Sequence, residues 1–173
     1  EGDRNFENLL PKLEKIVKKL SVPVIAKEVG FGISKDVVKR LYNVGIRIFD
    51  TAGWGGTSWA FVEGERREGF HDLGRLFSNW GIPTVDSIKM CADYKKELTT
   101  NNQQLITILG SGGVRTGVDI AKCLALGADL VGIAAPFAKA ALKSEEEVGE
   151  LIEKLGYELK VAMFGAGAKK IEE

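Results

Sequence analysis

The sequence predicts an α/β fold, with four strand-then-helix units in a row around a parallel sheet. Three observations carry this. Short apolar, β-branched runs occur at residues 22–28, 46–50, 105–109 and 129–133. Each is followed by a helical pattern. Nothing between the runs signals a hairpin, so successive strands lie parallel with right-handed crossovers.

The elements read in order as follows. Phe6, Leu9, Leu10, Leu13, Ile16, Val17 and Leu20 recur at helical spacing. The first strand run, ending Ala26-Lys27-Glu28, reads as buried on both faces. Ser34 caps a helix over residues 35–44, and Gly45 stops it. The second strand, 46–50, ends at Asp50 and runs into Gly53-Trp54-Gly55-Gly56-Thr57-Ser58-Trp59. A long polar stretch to Trp80 follows, of the kind that is usually functional in a compact domain. Pro83 and Thr84 open a helix reaching Leu98. The third strand, 105–109, leads into Gly110-Ser111-Gly112-Gly113-Val114-Arg115-Thr116-Gly117 and a helix over 118–126. The fourth, 129–133, leads to Ala134-Ala135-Pro136-Phe137. Ser144 and three glutamates then start a helical region that covers 148–160 and reaches Phe164.

The 173 residues suffice for one domain, read as spanning 1–173. A net charge of zero gives no field that would draw nucleic acid or anionic lipid. No apolar run is long enough to cross a membrane, and a cytoplasmic location is expected. The two cysteines, Cys91 and Cys123, fall within apolar helical patterns and read as buried thiols of a reducing compartment. The opening Glu1-Gly2-Asp3, without Met and just before a helix, reads as the start of a processed or truncated product.

Two architectures fit four βα units: an open doubly wound sheet, or a piece of a (β/α)8 barrel, which in full takes ~250 residues. Both bind ligands at the carboxyl ends of their strands. The unusual residues sit there: Lys27 after the first strand, Gly55-Gly56-Thr57 after the second, Gly112-Gly113-Val114-Arg115 after the third, and Ala134-Ala135 after the fourth. Glycines at such tips let backbone N–H groups approach an anion, and the helix starting near Thr116 would aim its positive end at the same place. The dinucleotide fingerprint is only half present. Trp54 and Trp59 are candidates for packing or for a pocket wall, Asp50 for orienting its loop, and His71 for a solvated surface position.

The strings 22–34, Gly55-Gly56-Thr57-Ser58-Trp59, Trp80-Gly81-Ile82-Pro83-Thr84, 110–119 and 158–169 resemble type 2 isopentenyl diphosphate isomerase, in order and along essentially the whole chain. The glycine-arginine loop is shared with other FMN barrels. The resemblance implies a TIM barrel, of which this chain would be the four C-terminal βα units. It implies FMN, NADPH as a reductant, Mg2+, and interconversion of isopentenyl and dimethylallyl diphosphate, with the reduced flavin serving as acid and base and no certain catalytic side chain. Lys27 would contact the flavin ring, Thr57 would bind FMN, and Gly112, Gly113, Val114, Arg115, Ala134 and Ala135 would hold its phosphate. Glu1 would hold the metal against the substrate diphosphate. Ala52 stands where the family often has a serine. The family's first four strands would precede Glu1, so this chain alone is expected to be inactive and to need the missing N-terminal half; a homo-oligomer is expected.

Three rivals differ in their requirements. A hydroxy-acid oxidase barrel needs a histidine at a strand end, and a nucleotide dehydrogenase or reductase barrel needs a cysteine there. A non-catalytic half-barrel would bury its open edges by pairing with another half.

Overall fold

The computed structural model describes residues 4–173; Glu1, the expected metal ligand, lies outside them. The element order is α1 (Leu9–Lys19), β1 (Ile25–Lys27), α2 (Lys35–Asn43), β2 (Ile48–Asp50), α3 (Trp59–Arg66), α4 (His71–Leu76), α5 (Thr84–Thr100), β3 (Thr107–Ser111), α6 (Gly117–Ala125), β4 (Leu130–Gly132), α7 (Ala135–Ala141) and α8 (Glu145–Ala166). The strands form one parallel sheet in the order β1-β2-β3-β4. Strand order that follows chain order, with a helix after each strand, is a barrel winding in one direction rather than a doubly wound reversal.

Alternation along the strands gives the sheet two unlike faces. Phe49 and Ile108 have no exposed surface, and with Ile46 and Ile106 they face Val38, Tyr42, Ile88, Cys91, Leu98 and Cys123 of α2, α5 and α6. Each such side chain contributes roughly 1.5–3 kcal/mol by leaving water. The opposite face carries Ile25, Ile48, Thr107, Leu109 and Leu130, and among the described residues no helix covers it. Ile25 is 53% exposed and Leu130 58%. The double burial expected of the first strand is therefore not met, because Ile25 lies on the face that no helix covers. Helix α1 likewise buries none of its residues; Val17 alone packs onto the rim of the core.

Local signals set several helix ends. Ser34 Oγ accepts from the Val37 N–H, Gly45 follows α2 with φ +104°, and Ser144 Oγ accepts from the Glu147 N–H. The stretch expected to be an irregular polar connection holds α3 and α4. They meet at Gly64 and Gly74, where a Cβ on Gly64 would lie 2.6 Å from the Gly74 Cα. The residues after the fourth strand, to which the sequence assigned no element, continue as α7. The third strand runs two residues later than expected and takes Ser111 into its last position.

Candidate functional site

The carboxyl tips of all four strands open into one cleft of about 720 Å³, within the range of about 300–1,000 Å³ typical of small-molecule sites. Lys27, Thr57, Gly112, Gly113, Val114, Arg115, Ala134 and Ala135, expected at a ligand site, all line it. Asp50, Trp59 and Ser111 join them.

Lys27 Nζ donates to Asp50 Oδ2 at 2.8 Å, across the paired positions of β1 and β2. Asp50 is nearly buried, and its second oxygen accepts from the Ser111 hydroxyl. Ser111 Oγ in turn accepts from the Ala52 N–H at 3.2 Å. This holds the backbone at Ala52, which has φ +32°. The Asp50 carboxylate thus lies between Lys27 and Ser111. The sequence did not single out Ser111, which reads as part of a glycine turn.

The glycine loops interlock. A Cβ on Gly112 would lie 2.2 Å from the Gly53 carbonyl oxygen, and one on Gly113 would lie 2.2 Å from the Gly55 oxygen. Thr84, read only as a helix start, ties them together: its hydroxyl donates to the Gly112 carbonyl at 2.7 Å, and its N–H to the Trp54 carbonyl at 3.1 Å. Arg115 lies across both loops, Nη1 donating to the Gly113 oxygen at 2.9 Å and Nη2 to the Gly55 oxygen at 3.3 Å. The N–H groups of Gly113 and Val114 find no acceptor among the described residues. They are the anion-binding donors that such a loop can offer.

The start of α6 is arranged differently from expectation. Three of the four N–H groups from Thr116 to Asp119 are taken by the protein's own carboxylates and hydroxyl. Arg115 and Thr116 N–H donate to Asp119 Oδ2, Asp119 N–H to Thr116 Oγ1, and Gly117 N–H to Glu158 Oε2. Burial alone would raise the Asp119 carboxyl; contacts with Thr116, the N–H groups of Arg115 and Thr116, and nearby Lys122 hold it below its usual range.

Trp59 lines the cleft, whereas Trp54 does not and is fixed against Ile82 and Thr84. His71 starts α4 away from the cleft, its Nδ1 3.7 Å from Glu65. Cys91 and Cys123 are buried in helices; burial pushes the Cys91 thiol up to about 12 and the Cys123 thiol up as well. Neither the histidine nor the thiol that the rival enzymes need is at a strand tip. Among the described residues, no three His, Cys, Asp or Glu side chains are grouped to hold a metal, and no helix is long and apolar enough to cross a membrane.

The cleft thus brings together the unpaired N–H groups of Gly113 and Val114, which suit an anion, and the ammonium group of Lys27. Known proteins agree with that composition. The isopentenyl-diphosphate delta-isomerase of Rickettsia bellii (strain RML369-C) is 46% identical over 173 residues, which cover 99% of this chain and 48% of the relative. That of Rickettsia felis is 42% identical over 175 residues, covering 100% and 48%. The chain spans about half the length of these curated relatives. Among solved structures, a flavocytochrome b2 mutant with benzoylformate matches with a TM-score of 0.66 at 22% identity, over 96% of this chain and 37% of that one. A mandelate oxidase mutant with a monooxide FMN adduct matches with a TM-score of 0.62 at 20% identity, over 94% and 43%. These two establish the barrel fold of the chain. With residues 8–173 matching the family described as FMN-dependent dehydrogenase, this chain belongs to that family.

Proposed function

We propose that the cleft binds FMN and that the chain is the phosphate-holding half of an enzyme interconverting isopentenyl and dimethylallyl diphosphate. The observation that carries this is the convergence of Lys27, Thr57, Gly113, Val114 and Arg115 on one cleft. They are contributed by the tips of β1, β2 and β3, and the relatives' names supply the substrate class.

The residues present fit the cofactor. The Gly113 and Val114 N–H groups would take its phosphate, with Ala134 and Ala135 closing the other side. Arg115 would keep the two glycine loops at the spacing the phosphate needs. Lys27 would place positive charge beside the flavin ring, favouring an anionic reduced form. Reduced FMN would supply the acid and base for a proton shift between carbons of an unactivated alkene. The side chains position the reactants, set the field and exclude water. This division of labour fits strand tips without His or Cys.

A reductant such as NADPH and a magnesium ion complete the reading. Glu1 and the substrate's own phosphate oxygens would hold the metal, the usual manner for magnesium. The uncovered face of the sheet would receive the N-terminal half of the barrel, and completed barrels would associate as a homo-oligomer. The setting proposed is the cytoplasm.

Complementation tests this. The chain is assayed by mass spectrometry with FMN, NADPH and Mg2+, alone and with a separately expressed N-terminal half from a relative. Turnover only in the mixture supports the reading. Flavin-free protein in both cases, or product from the chain alone, overturns it.

A further inference from the structure

We propose that Asp50 and Ser111 are positioning residues that act through Lys27. Asp50 would hold the ammonium group at the cleft, and Ser111 would hold Asp50.

The geometry supports a directed chain of contacts. The Lys27 side chain is 54% exposed, and that of Asp50 13%. A lysine so placed would otherwise sample many rotamers. One of its three N–H donors is fixed by Asp50 Oδ2 at 2.8 Å. The remaining two are left for an acceptor in the cleft. The carboxylate can serve as an anchor only if it is itself fixed, and the Ser111 hydroxyl occupies its other oxygen. Ser111 is fixed by its place at the end of β3 opposite Gly132, and by the Ala52 N–H. A Cβ on Gly132 would come within 3.0 Å of Ser111 Cβ, so β4 approaches the serine closely only because residue 132 is glycine. Rigidity therefore passes from the sheet to Ser111, then to Asp50, then to an otherwise mobile cation.

Two consequences follow. Lys27 is paired with Asp50 while its two remaining donors stay available to an electron-rich ligand. The position of Lys27 also becomes sensitive to a residue on β3 that it does not touch. The relevance of this to a flavin rests on the function proposed above; the tether itself does not.

The test reads Lys27 directly, without cofactor. The whole chain is acetylated under limiting reagent, and labelling at Lys27 is compared by mass spectrometry with Lys89, an exposed lysine of α5. Asp50→Asn should raise the Lys27 to Lys89 ratio about threefold to fivefold, the scale of a part-exposed ion pair. Ser111→Ala should raise it by about twofold, and in the Asp50→Asn background should add nothing. An unchanged ratio in Asp50→Asn, or a full Ser111→Ala effect in that background, overturns the proposal. If Ser111→Ala does not fold, the Asp50→Asn arm decides alone. A parallel FMN titration separates the two claims: shifted labelling with no flavin binding by any variant supports the tether and sinks the cofactor assignment.

Discussion

Glu158 of α8 accepts a 2.6 Å hydrogen bond from the Gly117 N–H at the first position of α6. The two helices touch closely there, since a Cβ on Gly117 would lie 2.4 Å from Glu158 Cβ. The favourable anion position at this helix start is therefore filled from within the chain. On the function proposed above, a cofactor phosphate would go instead to the unpaired N–H groups of Gly113 and Val114. Glu158→Ala should cost about 1–2 kcal/mol in urea denaturation, and Glu158→Gln, which keeps an acceptor, about half as much. A neutral Glu158→Ala would show that solvent replaces the contact.

Lys27→Ala should weaken FMN binding about tenfold or change its reduction, the scale of one charge-assisted hydrogen bond. Flavin fluorescence titration and a reductive titration measure this. Wild-type affinity together with wild-type reduction would remove Lys27 from the site.

Gly113→Ala should be severe for a reason independent of any ligand. Its φ is +76° and the added carbon would meet the Gly55 carbonyl oxygen at 2.2 Å. A loss of about 2–4 kcal/mol is expected from backbone strain and overpacking. Gly69 provides the control: its φ is +78° with nothing within 4 Å, so alanine there should cost only the strain.

Cys91 should resist iodoacetamide in the native protein and react in urea, because burial pushes its thiol up to about 12. The same shift gives stability a sign. Above the ordinary thiol value of 9.0 the unfolded chain releases a proton that the native state keeps. Stability should therefore fall as pH rises from 9 toward about 12, by up to ~1.4 kcal/mol per pH unit from this group. Cys91→Ala should flatten that slope in denaturation curves at pH 8, 9 and 10.

The parts legible in the sequence were those set by local chemistry. Apolar β-branched runs gave the four strands, and Ser34, Gly45 and Ser144 gave helix ends. Lys27 and the glycine loops stood out because parallel strands gather their tips. What escaped is settled by contacts between distant residues. Helices α3 and α4 carry no long apolar stripe and depend on Gly64 meeting Gly74. Helix α7, Ala135–Ala141, is mostly alanine and has no periodicity to read. Ser111 looked like a turn residue, but its pairing with Gly132 extends β3 and brings the hydroxyl to Asp50. The role of Thr84 is visible only once the Trp54 and Gly112 loops lie side by side.

Ile25 and Leu130 stand at the two lateral strands, on the side of the sheet that helices leave bare. A polar substitution at either should change the melting of the chain by itself only modestly, since more than half of each residue is already exposed. If the proposed second half seats there, the same substitution should be costly in the assembled pair. On that reading part of this sequence would specify a joint, to which folding measurements on the solitary chain are nearly blind.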